Sequence, residues 1–420
     1  MNNNLYWIWL SMACTPGSST FGKLLEKFKD AKDIFEASDD VIASLITSKS
    51  RDYRAITDKN LEGAQAVLDF CVEKKVGILA YSDGNYPELL RGIDNPPVLL
   101  YYRGSLPNFK EAFPISVVGT RRLTEYGKKN ACTISRDHSR AGALIVSGMA
   151  LGIDGVAHAG ALSSGGKTVA IIGSGIDVCY PASHLKLARE IVKNGSVITE
   201  YAPGTKPEKY NFPRRNRLIS GLCAATIVVE GKERSGSVIT ARHAKSQNRA
   251  VFAFPGHVGS EGSQSTNLLL KNGANICTCA EDIIRYFEKD YPSALNPFEL
   301  KVKPTVDMMG VLRELQVSAL TPTDDVFIVP KIKRENKNKI AEKKTEPLVK
   351  TSEENLLPEM PQFDSELLGL YKMIPADGDC AIETLTGDNY DLRKVMKLLL
   401  KLEMGKFITM LPGERVKRNI

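Results

Sequence analysis

Asn211-Phe-Pro-Arg-Arg-Asn-Arg-Leu-Ile-Ser-Gly-Leu-Cys-Ala-Ala-Thr-Ile-Val-Val-Glu-Gly-Lys-Glu-Arg-Ser-Gly-Ser-Val-Ile-Thr-Ala241 is the stretch from which the fold can be read. Ala225 to Glu230 is a short apolar, β-branched run of the kind that fills a buried parallel strand. It empties into Gly231 to Ser237, where small residues leave backbone N–H groups free. Val238 to Gln247 then suits a helix, so the positive end of a helix dipole faces whatever occupies the loop. This is the grammar of a phosphate cradle. Arg214, Arg215 and Arg217 stand in front of it, three guanidinium groups within four residues. An ordinary βα turn with a basic flank would use the same residue types.

Working outward, the centre of the chain alternates strand and helix, the pattern of right-handed βαβ units around a parallel sheet. Ile115 to Val118, Leu144 to Val146, Val169 to Ile172, Val197 to Thr199, Thr226 to Val229 and Ala250 to Phe254 read as strands. Helices are expected over Tyr126 to Ala141 and Val156 to Ser163. Most strands deliver small residues at their carboxyl ends, where ligands bind in an open α/β sheet. Gly119-Thr120-Arg121 and Arg234-Ser235-Gly236-Ser237 are the two best anion sites: Gly admits the backbone closely, Thr or Ser donates a hydroxyl, and Arg forks to the charge. Gly173-x-Gly175 is too short for a dinucleotide fingerprint. Asp154 and His158 lie four residues apart on one expected helix, where a structural capping role suits Asp154. The expected fold is α/β: a Rossmann-like, mostly parallel sheet with helices on both faces, preceded by a small helical domain and followed by a winged helix.

The flanks supply the rest of that layout. Residues 1–75 read as helices, with Cys14-Thr-Pro-Gly17 as a turn similar to a helix-hairpin-helix but lacking its Gly-x-Gly, so a packing module is expected. The proline-rich stretch from Tyr86 to Gly104 reads as a connector ending in a strand, and 76–290 forms the central domain. Residues 291–360 lack periodicity and read as a linker, disordered in part. In 361–420, helical segments Ser365 to Met373 and Leu392 to Leu402 precede a hairpin over Lys406 to Leu411 and Arg415 to Arg418, the order of a winged helix.

With 420 residues, 43% hydrophobic and 25% charged, the chain has the composition of a globular protein of two or three domains, and the cytoplasm is its expected location. The apolar patch Leu5 to Cys14 is too short to span a membrane. Eight scattered cysteines and five scattered histidines give no metal-site spacing, and no cofactor is expected. The net charge of +7 is unevenly placed. Thr205 to Ala250 holds ten Lys or Arg against three Glu, and Lys331 to Lys350 holds eight against three. Such concentration points to a polyanion: nucleic acid or a phosphorylated ligand.

Taken together, several motifs resemble the DprA/Smf family of DNA-processing proteins. They are Tyr86-Pro87-x-x-Leu90, Val118-Gly-Thr-Arg121, Ser147-Gly-x-Ala-x-Gly-Ile-Asp154-x-x-Ala-His158, Tyr180-Pro181, Phe212-Pro-Arg-Arg-Asn-Arg217-x-Ile-x-Gly221, Ser235-Gly-Ser-x-x-Thr-Ala241 and Phe254-Pro-Gly256. The resemblance spans about residues 80–290. It implies a dimeric, non-enzymatic protein that coats single-stranded DNA in natural transformation and loads a RecA-type recombinase onto it. It further implies a DNA groove lined by Gly119, Thr120, Arg121, Ser147, Gly148, Arg234 to Ser237, Asn267 and Lys271, and a dimer contact over Gly273 to Phe287. Two positions depart from the family pattern: Leu151 stands where an arginine is usual, and Gln264 to Thr266 replace a Gly-Cys before Asn267. The competing reading is a phosphoribohydrolase on the same scaffold. Those enzymes carry Pro-Gly-Gly-x-Gly-Thr-x-x-Glu at the loop, whereas Arg234-Ser-Gly-Ser-Val-Ile-Thr-Ala241 has no glutamate to activate water, so binding is preferred to hydrolysis.

Overall fold

The computed structural model describes residues 3–233, 235–301, 327, 369–371, 373–375, 379–386, 391–404, 407–411 and 415–418. The chain divides into two compact units, Met1–Arg334 and Glu335–Ile420.

The first unit opens with six helices: α1 Asn3–Ala13, α2 Thr20–Leu25, α3 Ala31–Glu36, α4 Asp39–Leu45, α5 Arg51–Thr57 and α6 Glu62–Glu73. Strand β1 Gly77–Ala80, the short α7 Glu88–Arg91 and strand β2 Leu99–Gly104 follow. The alternating part then runs β3 Phe113–Val118, α8 Glu125–Arg140, β4 Ala143–Ser147, α9 Ile153–Ser163, β5 Thr168–Ile171, α10 Leu185–Asn194 and β6 Gly195–Thr199. It continues through α11 Asn211–Gly221, β7 Ala225–Val228, α12 Gly236–Ser246, β8 Ala250–Ala253, α13 Gln264–Lys271, β9 Asn275–Ile276 and α14 Ala280–Phe287. Every central strand expected from the sequence is present within a residue or two. Two helices begin earlier than expected, α9 at Ile153 and α12 at Gly236, so Gly236 and Ser237 belong to the first turn of α12.

Nine strands form one sheet in the order β1-β2-β6-β5-β4-β3-β7-β8-β9. From β6 to β9 all pairs are parallel, while β1 and β2 add an antiparallel flank. The chain steps outward from β3 to β6, then returns to β7 on the other side of β3 and steps outward the opposite way. The order therefore reverses between β3 and β7.

Side chains alternate between two cores, as a pleated strand buried on both faces requires. Ile115, Val117, Ile145, Ala170, Val197 and Ile227 face one core, while Val118, Leu144, Val146, Val169, Ile171, Ile198 and Val228 face the other. The second core is closed by α7, α11 and α12 through Leu90, Leu218, Ile219, Leu222 and Ala241. The first is continuous from Trp7, Ile8 and Leu10 of α1 through the sheet to Ile283 and Phe287 of α14. The helical front thus shares its core with the sheet. Packing also runs on past residue 290: Tyr291 lies 4.7 Å from the ring of Phe113, Leu295 is buried, and the Asn296 N–H donates to the Ala141 carbonyl at 2.9 Å. The basic run Lys331 to Lys344 lies outside the described residues.

The described part of the second unit contains a three-stranded antiparallel sheet, β10 Asp379–Ala381, β11 Ile408–Leu411 and β12 Arg415–Arg418, in the order β10-β12-β11. A 3-10 turn, Ile382–Leu385, and helix α15 Leu392–Met404 complete it. Leu370, Ile382, Leu385, Val395, Leu399 and Val416 are among the residues of its own core. The expected terminal hairpin is present as β11 and β12.

Because Trp7 is buried in the core that also holds the sheet, Trp7→Ala should cost about 3–5 kcal/mol. The loss should appear as a lower midpoint of one cooperative urea transition for the first unit. Separate transitions for residues 3–73 and the sheet would contradict the shared core.

Candidate nucleic-acid interface

The reversal of strand order opens a crevice at the carboxyl ends of β3 and β7, the place where open α/β sheets bind ligands. A cleft of about 610 Å³ lies there. Its walls are the loop after β3, the first turns of α11, and the loop leading from β7 into α12. The two loops are tied together: the Thr120 N–H donates to the Glu230 carbonyl at 2.8 Å, and the Ile153 N–H donates to the Thr120 carbonyl at 3.1 Å. Gly119 is required at this junction, since a Cβ there would sit 2.5 Å from Ile153 and 2.9 Å from the Glu230 carbonyl oxygen. The buried Glu230 side chain braces the same junction, one carboxylate oxygen accepting from the Thr124 N–H at 3.0 Å.

Exposed cations stand around the rim: Arg121, Arg122, Lys209 and Lys232. The Arg121 guanidinium lies 5.5 Å from the centre of the Phe212 ring, and Phe212 in turn lies 5.4 Å from Tyr180. Opposite, Ser235, Gly236 and Ser237 line the cleft at the start of α12, with the two serine hydroxyls 2.6 Å apart. First-turn N–H groups of a helix have no intrahelical partner, so this wall is a donor surface. The cleft therefore combines exposed positive charge, fixed backbone donors and an aromatic face.

Beneath it lies a buried ionic clip. Arg215 is only 3% exposed and donates to the carbonyls of Gly148, at 2.8 Å, and Ile171. The Asp154 carboxylate beside it accepts from the Gly148 N–H at 3.1 Å. Gly148 has no alternative, because a Cβ would sit 2.7 Å from both the Arg215 guanidinium and the Asp154 carboxylate. Burial pushes the Asp154 carboxyl up to about 6, against the pull of Arg215 and the hydrogen bond from Gly148. Asp154 thus holds the loop before α9, and it does not pair with His158, whose Nδ1 faces the Thr168 hydroxyl at 2.7 Å.

The sequence-derived site residues divide into groups. Gly119, Thr120, Arg121, Ser235, Gly236 and Ser237 line the cleft, and Arg215 forms its floor. Gly148 supports that floor. Three guanidinium groups facing one ligand are not what the structure shows. All three arginines lie on α11, and Arg217, 6% exposed, is paired with the buried Glu200 on the side away from this cleft. Arg214 is exposed, 5.4 Å from the ring of Tyr210. Ser147 is fully buried and donates to the Val117 carbonyl at 2.6 Å, so it fastens β4 to β3. Asn267 grips the Gly256 backbone with both ends of its amide, at 3.1 and 3.0 Å, and Lys271 is exposed at the end of α13; neither lines the cleft. Arg234 lies outside the described residues. Sequence reasoning did not single out Phe212, Lys209 or Lys232. Phe212 had a signal, an aromatic residue inside the quoted motif, whereas the two lysines were visible only as part of the local charge excess.

A family model described as DNA recombination-mediator protein A matches residues 77–288, from β1 to the end of α14. The DNA processing protein DprA of Bacillus subtilis is 38% identical over 226 residues, which cover 54% of this chain and 76% of that protein. The Streptococcus pneumoniae protein of the same name is 42% identical over 207 residues, 49% of this chain and 72% of that one. The chain belongs to the DprA/Smf family. An X-ray structure of DNA processing protein A from Streptococcus pneumoniae superposes with a TM-score of 0.58 at 34% identity, covering 68% of this chain and 97% of that one. The family match encloses the whole cleft. Leu151, at the position where the family resemblance implies an arginine, is 47% exposed and lines a small recess beside Arg121, Tyr180 and Phe212.

The raised carboxyl of Asp154 has a pH signature. A group whose pKa rises on folding, here from 3.8 to about 6, contributes stability that is full below the lower value and is lost as pH rises through the higher one. The stability difference between wild type and Asp154→Asn should therefore shift against wild type as pH rises from about 4 to about 6 and stay level above it. Urea titrations across that range would show it, and a difference independent of pH would contradict the burial argument.

Proposed function

We propose that the chain binds and protects single-stranded DNA and hands it to a RecA-type recombinase during the processing of incoming DNA, without turning over a substrate. The observation that carries this reading is the cleft at the β3/β7 reversal, where Arg121 lies over Phe212 opposite the N-terminal turn of α12. Phosphates suit the arginine fork and the backbone donors, and bases suit the ring faces. Binding without turnover is supported by the state of Asp154, the carboxylate among the cleft-lining residues, which accepts from the Gly148 N–H and lies in the field of the buried Arg215. Recombinase transfer and a role in transformation rest on family membership. On the same ground we place the protein in the cytoplasm and read the second unit as a winged helix. Among the described residues no helix is long and apolar enough to cross a membrane.

We further read the protein as a homodimer through the β9 edge of the sheet and α14. Ile276 and Tyr286 there are 58% and 55% exposed, apolar area of the kind a partner covers. Light scattering at micromolar concentration should give twice the monomer mass, and Ile276→Glu with Tyr286→Glu should return it to monomer with the far-ultraviolet circular dichroism of the folded chain retained.

Single strands should bind more tightly than duplex, with affinity falling as salt rises. Arg121→Ala should weaken single-strand binding about ten-fold, the loss of one charge-assisted fork. It should also lower the salt slope while leaving the melting temperature nearly unchanged. Fluorescence anisotropy with labelled oligothymidylate measures all three. Equal affinity for duplex, or a folded Arg121→Ala protein that binds as wild type, would overturn the reading.

A further inference from the structure

The recess beside Leu151 is the part of the rim that neither the exposed cations nor the first turn of α12 accounts for. Leu151, 47% exposed, lines it with Ile172, Tyr180, Pro181 and Phe212, and Arg121 is the charged residue among its lining. Its aromatic wall is fixed in place: the Phe212 ring lies 5.4 Å from that of Tyr180 and is seated on Gly173, where a Cβ would come 3.0 Å from the ring. The recess adjoins the main cleft, because Arg121, Ala150 and Phe212 line both. A strand held by its phosphates at Arg121 therefore has a base within reach of it.

Size and polarity decide what part of a base can enter. The recess measures about 30 Å³, room for a group the size of a water molecule or a methyl and too little for a whole base ring. The backbone around it is already engaged. The Gly148 N–H donates to Asp154 and its carbonyl accepts from Arg215, while the Ala150 carbonyl accepts from the Gly155 N–H at 3.1 Å. Ile172 donates to the Ile198 carbonyl at 2.9 Å and accepts from the Thr199 hydroxyl at 3.3 Å. A polar base edge pushed into such a space loses its water without a full set of replacement hydrogen bonds. Thymine differs from the other DNA bases in carrying a methyl group, at C5.

We propose that the recess seats the C5-methyl of a thymine in the bound strand, and that Leu151 is a specificity-determining residue that makes this chain prefer thymine at that position. The proposal rests on the single-strand reading of the main cleft and adds a base preference to it. The methyl replaces water against apolar side chains, and the polar groups of the base stay outside. An arginine at position 151 exchanges this apolar wall for a charge, which suits a phosphate and not a methyl.

The test uses the full chain and strands that differ by the methyl alone. Fluorescence anisotropy with labelled oligothymidylate and oligodeoxyuridylate of equal length should show the thymine strand binding about four-fold more tightly, the worth of one buried methyl. Oligodeoxycytidylate and its 5-methylcytosine counterpart should show the same step. Leu151→Arg should bring both ratios to about one while raising the salt slope by about one phosphate. Leu151→Ala should lower the ratios and leave the slope unchanged, so the lost wall and the gained charge are read apart. The ratios in wild type need no variant, so misfolding cannot produce them. Equal affinity of wild type for thymine and uracil strands would overturn the proposal. So would ratios that persist unchanged in both variants, since the methyl would then act elsewhere. Arg121→Ala reports on the main cleft: if it weakens every strand while wild type ignores the methyl, the recess is wrong and the main reading stands. If it has no effect while the ratios respond to both Leu151 variants, the main reading fails and the recess remains a base contact.

Discussion

Two neighbouring parallel strands whose crossovers depart in opposite directions leave a gap that no helix of either half covers. In this chain the gap lies between β3 and β7, and nearly everything functional follows from how it is kept open without losing rigidity. The two exit loops are joined backbone to backbone through Thr120 and Glu230, and Gly119 is the position that permits the approach. A side chain there would force the loops apart and unseat Arg121 from one wall and Ser235 to Ser237 from the other. Preorganisation of this kind is what lets short loops bind a charged, flexible polymer without a large ordering cost.

The floor of the gap is made of buried charge, which is stable only when each charge is met. Arg215 has the Gly148 and Ile171 carbonyls, Asp154 has the Gly148 N–H, and the two opposite charges lie in each other's field, so that network is closed. Arg217, two residues further along α11, and its partner Glu200 are met on one side only: one oxygen of Glu200 and two nitrogens of Arg217 are without partners among the described residues. Two arginines two residues apart thus differ in kind, one with its polar contacts complete and the other buried with two nitrogens unmet among the described residues.

This difference also marks where the sequence ceased to be legible. The strands could be read because most are short apolar runs ended by small residues, and the switch-point loops because Gly119-Thr-Arg and Ser235-Gly-Ser carry their own chemistry. The stretch Asn211 to Arg217 was read as basic residues in front of a loop, with no helix assigned to it. In the structure Pro213 is the third residue of α11, within the first turn, where an N–H has no intrahelical partner to lose. Once the segment is helical, about 100° per residue separates Arg214, Arg215 and Arg217 around the axis. One side chain then faces solvent, one the sheet and one the helical front. No spacing rule on the linear sequence distinguishes them, because the choice is made by what packs against each face of α11. Asn267 was legible as a position and not as a role: its amide is spent on the Gly256 backbone, which holds the loop after β8.

Leu151 shows how the same scaffold shifts its chemistry by one residue. At a position where the family resemblance implies a guanidinium, the rim instead has an exposed apolar side chain lining a recess with Tyr180, Pro181 and Phe212. Among the residues lining that recess the cation is Arg121, which already lies against the Phe212 ring. On the proposed reading, a strand crossing this rim exchanges a phosphate contact for an apolar one. A base face can be covered by Leu151 and the two rings only if it is unstacked, which a single strand allows and a duplex does not. The substitution therefore lowers the electrostatic share of binding while favouring single strands through contact with their bases. On this reading Arg121 and Arg122 are the groups on which the phosphate register of this wall depends.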